Sequence, residues 1–237
     1  MKHFMHRWAL FVVLCAALPA AAQTAIQTVA PLAPSERIQN LDKFKAELRD
    51  YHDCKLPTYC YTHDLDLQAN RAIAFLHRRA AHIPAGEKLA VIFDIDETTL
   101  SNYEEMVGAD FGYDNTRFND WVNSAKAPAI PGTLRIFKEA QQLGVSVIFL
   151  TGRPESQRAV TEQNLRAQGF DNWRELILRP PDQANATALD YKSAARARIV
   201  AEGYKIILNV GDQWSDLRGK PMAEYSIKYP DPYYFIK

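Results

Sequence analysis

The stretch Leu89-Ala90-Val91-Ile92-Phe93-Asp94-Ile95-Asp96-Glu97-Thr98 sets an unbroken apolar run directly before two alternating aspartates. An apolar run this short, with no polar position alternating through it, predicts a strand covered on both faces, as strands in parallel sheets are. Three further runs of the same kind follow: Val145-Ser-Val-Ile-Phe-Leu150, Glu175-Leu-Ile-Leu178 and Lys205-Ile-Ile-Leu-Asn-Val210. Helical patterns separate them, Thr133–Leu143, Glu155–Gln168 and Ser193–Glu202. Each is followed at once by a glycine (Gly144, Gly169, Gly203), the residue that most readily closes a helix. Strands alternating with helices predict an α/β fold built on a parallel sheet flanked by helices.

The connection from the first run to the second, residues 94–144, is too long for a simple crossover. It carries Tyr103, Phe111, Tyr113, Phe118 and Trp121 with Gly108 and Gly112. Long connections of this kind are usually functional, so a small cap or lid is expected over about residues 101–132. Upstream, Ile38, Leu41, Phe44 and Leu48 recur at helical spacing in Ser35–Tyr51, as do Leu67, Ala72, Phe75 and Leu76 in Asp64–His82. These predict a helical extension, residues 35–88, within one domain that runs from 35 to 237.

The chain opens differently. Lys2 and Arg7 precede an apolar run from Trp8 to Leu18, then Pro19 and Ala20-Ala21-Ala22. This is the layout of a secretory signal peptide, residues 1–22, and it directs the mature protein to the periplasm or the medium. The run is shorter than the ~20 apolar residues that cross a bilayer, and no later run is long enough, so no membrane span is expected. A lipid anchor at Cys15 is disfavoured because Leu14 stands where a small residue normally precedes the modified cysteine. Residues 23–34, rich in Ala, Thr, Gln and Pro, read as a flexible lead-in.

Removing Lys2 and Arg7 leaves 26 of the 28 basic residues against 28 acidic ones, a formal charge near −2. Nothing in that balance suggests a surface for a nucleic-acid polymer. Of the three cysteines, Cys54 and Cys60 remain, with no histidine or second cysteine pair at metal-site spacing. In an oxidising compartment such a pair reads as a local disulfide, two free thiols being the alternative.

In open parallel sheets ligands bind beyond the carboxyl ends of the strands, so the polar residues that follow each run carry the chemistry. After the first run, an extended exit sends Asp94 and Asp96 to the same side. After the second, Thr151-Gly152-Arg153-Pro154 offers a hydroxyl and an amide at the opening of a helix, a cradle for an anion. After the fourth, Gly211-Asp212-Gln213-Trp214-Ser215-Asp216 adds two more carboxylates. Each piece alone is ordinary: a chance D-x-D-x-T, a turn, a helix cap. Together they gather four aspartates at one sheet edge, where mutual repulsion and desolvation call for a hard divalent cation. Ligation by oxygen alone favours Mg²⁺.

The segments F-D-I-D-E-T-T-L-S-N, L-T-G-R-P-E, Y-K-S and G-D-Q-W-S-D-L, in that order, resemble the four motifs of haloacid dehalogenase superfamily phosphatases, over roughly Leu89 onward. Their flanks are closest to the group that holds the bacterial class B and class C acid phosphatases and the plant vegetative storage and acid phosphatase proteins. G-D-Q-W-S-D-L and Y-P-D-P-Y-Y resemble the plant branch, and D-I-D-E-T with L-S-N-Y the bacterial class C signature. The resemblance implies an acid phosphatase that hydrolyses small phosphate monoesters, nucleoside monophosphates among the candidates, through a phospho-aspartate and Mg²⁺.

It further implies that Asp94 attacks phosphorus, and that Asp96 exchanges protons with the leaving group and binds metal through its backbone carbonyl. Thr151 and Gly152 would hold the phosphoryl oxygens, with Lys192 supplying positive charge. Asp212 would bind the metal directly, and Asp216 through water or as a support. Thr98 and Arg153 brace the loops. By the same resemblance Trp121 and Tyr233 or Tyr234 are candidates to meet the substrate's aromatic part. Two other readings stand beside this one: a catalytically weak storage or binding protein, against which the presence of Asp94 speaks, and a phosphotransferase to alcohols.

Overall fold

The computed structural model describes residues 38–84 and 86–236, so the expected signal peptide and lead-in lie outside the described residues. The four apolar runs form strands Lys88–Phe93 (β1), Ser146–Pro154 (β2), Glu175–Arg179 (β3) and Tyr204–Gly211 (β4), joined by a fifth, Tyr225–Lys228 (β5). All neighbours pair in parallel, in the order β3-β2-β1-β4-β5, which puts β1 at the centre. The fifth strand escapes a reading by apolar runs because only Ile227 of its four residues is buried.

The two faces of the sheet pack against different helices. Leu89, Val91 and Phe93, with Val147 and Phe149, face the helices Tyr61–Ala80 (α2) and Pro131–Gln142 (α5). There they meet Leu65, Ala72 and Leu76 of α2 and Ile136 and Phe137 of α5. Ala90, Ile92, Ile148 and Leu150 face Tyr191, Ala195 and Ile199 of the helix Ala188–Ala201 (α7). Side chains alternate along a strand even where every residue is apolar, so each run feeds two core layers. Between β1 and β4 the pairing shifts by one: Ala90 pairs with Ile206, and Val91 with Leu208. Ile207 is the extra residue, and it and Leu208 fall on the same core face.

Several boundaries differ from those expected. The first helix (α1) is Leu41–His52, started by Asn40, whose side chain accepts from the N–H groups of Asp42 and Lys43; the expected start at Ser35 lies outside the described residues. Helix α2 starts at Tyr61, ahead of the expected Asp64, directly after Cys60, which forms a disulfide with Cys54. Helix α5 begins at Pro131, a residue suited to a first turn. Helix α7 begins at Ala188, where the Thr187 side chain accepts from the Asp190 N–H. The expected helix at Glu155 begins instead at Arg158, running to Ala167 (α6), after a single 3₁₀ turn. Pro154 holds the preceding residues extended, so β2 runs on through Thr151 and Gly152.

The long insertion carries Tyr103–Gly108 (α3) and Asn115–Asn123 (α4), and a last short helix, Trp214–Leu217 (α8), follows β4. Among the described residues no helix is long and apolar enough to cross a membrane.

Candidate active site

The centre of the site is the exit of β1. The Asp94 N–H donates to Val210 O at 3.0 Å, so the sheet ladder reaches as far as this residue. The chain then folds on itself. The amides of Thr99 and Leu100 both donate to Ile95 O, at 2.8 and 2.9 Å, and Glu97 takes a left-handed φ of 55°. The Thr99 hydroxyl donates back to Asp94 O at 2.5 Å. A loop that satisfies its own backbone groups in this way holds Asp94 without help from solvent.

Lys192, one turn into α7, places its ammonium 2.5 Å from Asp94 Oδ1 and 2.5 Å from Asp216 Oδ1, and all three residues are buried. Asp216 is fixed from its other oxygen, which accepts the Gln213 N–H at 2.9 Å in a capping box. Its backbone carbonyl accepts from Asn209 at 2.8 Å and from Arg196 at 2.6 Å. Asp212 accepts from the Thr98 hydroxyl at 3.1 Å on Oδ1. On Oδ2 it accepts from the Gln213 amide at 2.7 Å and the Tyr234 hydroxyl at 3.0 Å.

Asp94, Asp212 and Asp216 each place one carboxylate oxygen within 4.8 Å of the others. Burial pushes the Asp94 carboxyl well above the ordinary carboxylate range, Lys192 opposes the rise, and Asp216 and Asp212 add to it. Burial, then Asp216 and Asp231, raise Asp212 in the same way. Three buried carboxylates facing one ammonium, all ligands oxygen, form a donor set that suits a divalent metal ion.

Asp96 lies outside that trio. Its carboxylate pairs with Arg153 at 2.6 Å and accepts from Asn102 Nδ2 at 2.9 Å. Burial alone would raise its pKa, but the Arg153 charge and these hydrogen bonds outweigh burial and hold it below the ordinary range. The Thr151 hydroxyl accepts the Arg153 N–H at 3.1 Å, which leaves its own O–H free to donate. Gly152 is exposed, and a Cβ built there meets nothing within 4 Å, so the space beside it is open.

Several residues of this arrangement are not marked in the sequence. Asn102 binds both Asp96 and Glu97 and accepts the Trp121 indole N–H at 2.8 Å, tying the insertion to the first loop. Arg196 is fully buried and holds the carbonyls of Asp216, Arg218 and Pro221. Its spacing four residues after Lys192, which puts both on one face of α7, is the one feature of the sequence that could have found it. Tyr233 packs its ring among Tyr61, Tyr103 and Phe111, with centroids 5.4 to 6.1 Å away.

Gly211 is required by a close approach. A Cβ there would lie 2.4 Å from both Cβ and Oδ2 of Asp216. Gly211→Ala is therefore expected to push Asp216 off Lys192. The cost should be about 1–3 kcal/mol of stability, as for overpacking elsewhere, read as a lowered midpoint in thermal unfolding.

Residues 17–237 match the family model described as HAD superfamily, subfamily IIIB (Acid phosphatase). Acid phosphatase 1 of Solanum lycopersicum is 45% identical over 148 residues, 61% of this chain and 58% of its own length. A Stem 31 kDa glycoprotein of Glycine max is 41% identical over 150 residues, 62% of this chain and 59% of its own length. The chain thus spans well short of the whole length of the curated relatives it matches. The class C acid phosphatase from Bacillus anthracis shares the fold, with a TM-score of 0.66 at 22% identity over 82% of this chain and 86% of that one.

Proposed function

The chain belongs to subfamily IIIB, the acid phosphatase branch, of the haloacid dehalogenase superfamily, and from that membership we propose that it hydrolyses phosphate monoesters through a phosphoryl group carried on Asp94. The observation that carries this reading is Asp94 itself: buried, at the end of the central strand, paired with Lys192 and within reach of two further carboxylates.

The substrate's phosphoryl oxygens lie against the Thr151 hydroxyl and the Gly152 amide, with the Lys192 ammonium beside them. Asp94 Oδ attacks phosphorus as the ester P–O bond breaks, and Asp96 gives its proton to the departing alkoxide. Asp96 then takes a proton from water, which attacks the aspartyl phosphate, releases inorganic phosphate and restores Asp94. Asp94, Asp212 and the backbone carbonyl of Asp96 would hold Mg²⁺, with Asp216 supporting. The chemistry the ion supplies is neutralisation of charge between nucleophile and phosphoryl group. The insertion serves as the cap, its Asn119 accepting from Gln157 at 2.9 Å just beyond the Thr151 loop. Trp121 and Tyr233 face the leaving group, a nucleoside being one that aromatic rings suit. Export belongs to the same proposal and is supported by the Cys54–Cys60 disulfide.

The proton role gives a sign to the pH dependence. Asp96 must be protonated to assist the leaving group, and Arg153 holds its pKa low. The competent fraction therefore grows as pH falls, until Asp94 itself takes a proton. Turnover of an alkyl phosphate or nucleoside monophosphate should rise below neutrality, while p-nitrophenyl phosphate, whose leaving group needs less help, should change less. The test is phosphate release from both substrates across pH, with Mg²⁺ or EDTA. Loss of turnover in EDTA and its return with Mg²⁺ are expected. Transfer to an added alcohol would appear as an alkyl phosphate product. No turnover of any phosphomonoester by folded, Mg²⁺-loaded protein would favour the storage reading, which the similarity to Vegetative storage protein 1 of Arabidopsis thaliana, 34% identical over 149 residues, keeps in view.

A further inference from the structure

The segment after β5, residues 229–236, is bonded into the site. Tyr229, fully buried, donates its N–H to Gly211 O at 2.9 Å, and its hydroxyl lies 3.1 Å from that of Thr133. Asp231 accepts from the Gln213 amide at 2.6 Å and from the Tyr233 N–H at 2.9 Å. The Ile236 N–H donates to Gln213 Oε1 at 3.1 Å. Gln213 thus fastens this strap to the loop that carries Asp212.

The strap delivers one group to the carboxylate trio. The Tyr234 hydroxyl donates to Asp212 Oδ2 at 3.0 Å, the same oxygen that accepts from Gln213 at 2.7 Å, while Thr98 occupies Oδ1 at 3.1 Å. Three donors on a carboxylate that is 1% exposed fix both its plane and its rotation. Donors of this kind orient ligating carboxylates for their metal. The neighbouring Tyr233 differs: its hydroxyl is buried with no hydrogen-bond partner among the described residues.

We propose that Tyr234 is a positioning residue for the cation site, aiming Asp212 through its hydroxyl, and that its ring is not a platform for the substrate. The proposal rests on Asp212 being a metal ligand. Losing such a partner typically weakens metal binding by about 10–100-fold.

The test is Mg²⁺ titration by calorimetry, with the Mg²⁺-induced rise in unfolding temperature as a second readout, on the full chain and its Tyr234→Phe, Tyr233→Phe and Asp212→Asn variants. Tyr234→Phe should weaken Mg²⁺ binding about tenfold, its activity recovering as Mg²⁺ is raised, with KM for substrate unchanged at saturating metal. Tyr233→Phe, which removes the same atom from the adjacent ring, should bind Mg²⁺ as the parent does. Gln213→Leu removes the other donor to Oδ2 and should act in the same direction as Tyr234→Phe. Wild-type affinity in Tyr234→Phe, or a raised KM at saturating Mg²⁺ in its place, would overturn the proposal. If the parent takes up no Mg²⁺, or Asp212→Asn binds it equally well, the metal reading of Asp212 itself fails, which is a separate and recognisable outcome.

Discussion

Asp94→Asn should lose roughly 10⁴-fold or more in turnover and yet fold at least as stably as the parent when no metal is present. The first part follows from chemistry, since a carboxamide cannot carry the phosphoryl group. The second follows from the site's electrostatics. Burial raises the Asp94 pKa above its unfolded value, and Asp216 and Asp212 outweigh part of what Lys192 recovers. A carboxyl with a raised folded pKa stabilises the fold only where it is protonated, and that stability is lost as pH rises through the folded value. At neutral pH, which lies above the unfolded value, the metal-free parent has therefore lost part of that stability, and the asparagine variant, which exchanges no proton there, has not. Lys192 keeps Asp216 as a partner. Kinetics and thermal unfolding in EDTA check both halves. A variant that retains turnover within tenfold of the parent would place the nucleophile elsewhere, and one that unfolds readily would show that Asp94 is a structural charge.

Lys192→Met should show the opposite pattern. Its ammonium is the direct partner of both Asp94 and Asp216, and removing one member of a buried pair leaves uncompensated charge at a cost of about 3–5 kcal/mol. That loss should be greatest in EDTA at neutral pH. It should shrink as pH falls, because the abandoned carboxylates then take up protons, and Mg²⁺ should restore part of it. Turnover should fall at least about 10²-fold even with metal, the scale seen when one preorganised donor to a developing charge is lost. Urea unfolding at neutral and acid pH, with and without Mg²⁺, separates these effects. Parental stability at neutral pH in EDTA would mean that Lys192 does not neutralise the site.

The strands and the aspartates were readable for one reason: β1, β2 and β4 are covered on both faces, so each announces itself as an apolar run, and the residues just past the run lie at the sheet edge. The same logic hid β5, where only Ile227 is buried. It also misjudged Thr151 and Gly152, placed at a helix opening although Pro154 keeps them extended. Thr98 and Arg153 were read as braces, but what each support holds was not readable, because the pairs join residues distant along the chain. Arg153 reaches Asp96 across 57 positions, and Tyr234 reaches Asp212 across 22. Such pairs have no period and no local composition. Tyr234 illustrates the limit: the resemblance offered its ring as a candidate for stacking, and nothing beside it in the chain marks its hydroxyl as a donor to Asp212.

Ile207 gives the site a property that no single catalytic residue holds. Counting in step from the Lys88–Tyr204 pair would bring Asn209 opposite Phe93, but the extra residue brings Val210 there. Were Ile207 drawn into the ladder opposite Val91, everything after it would sit one residue, about 3.3 Å, further along the sheet and point to the opposite face. Asp212 would then overshoot Asp94, and Asn209 would turn away from the Asp216 carbonyl. The meeting of the carboxylates is thus a matter of phase between two strands, tuned by one unpaired isoleucine. That phase holds only while Ile207 stays outside the ladder.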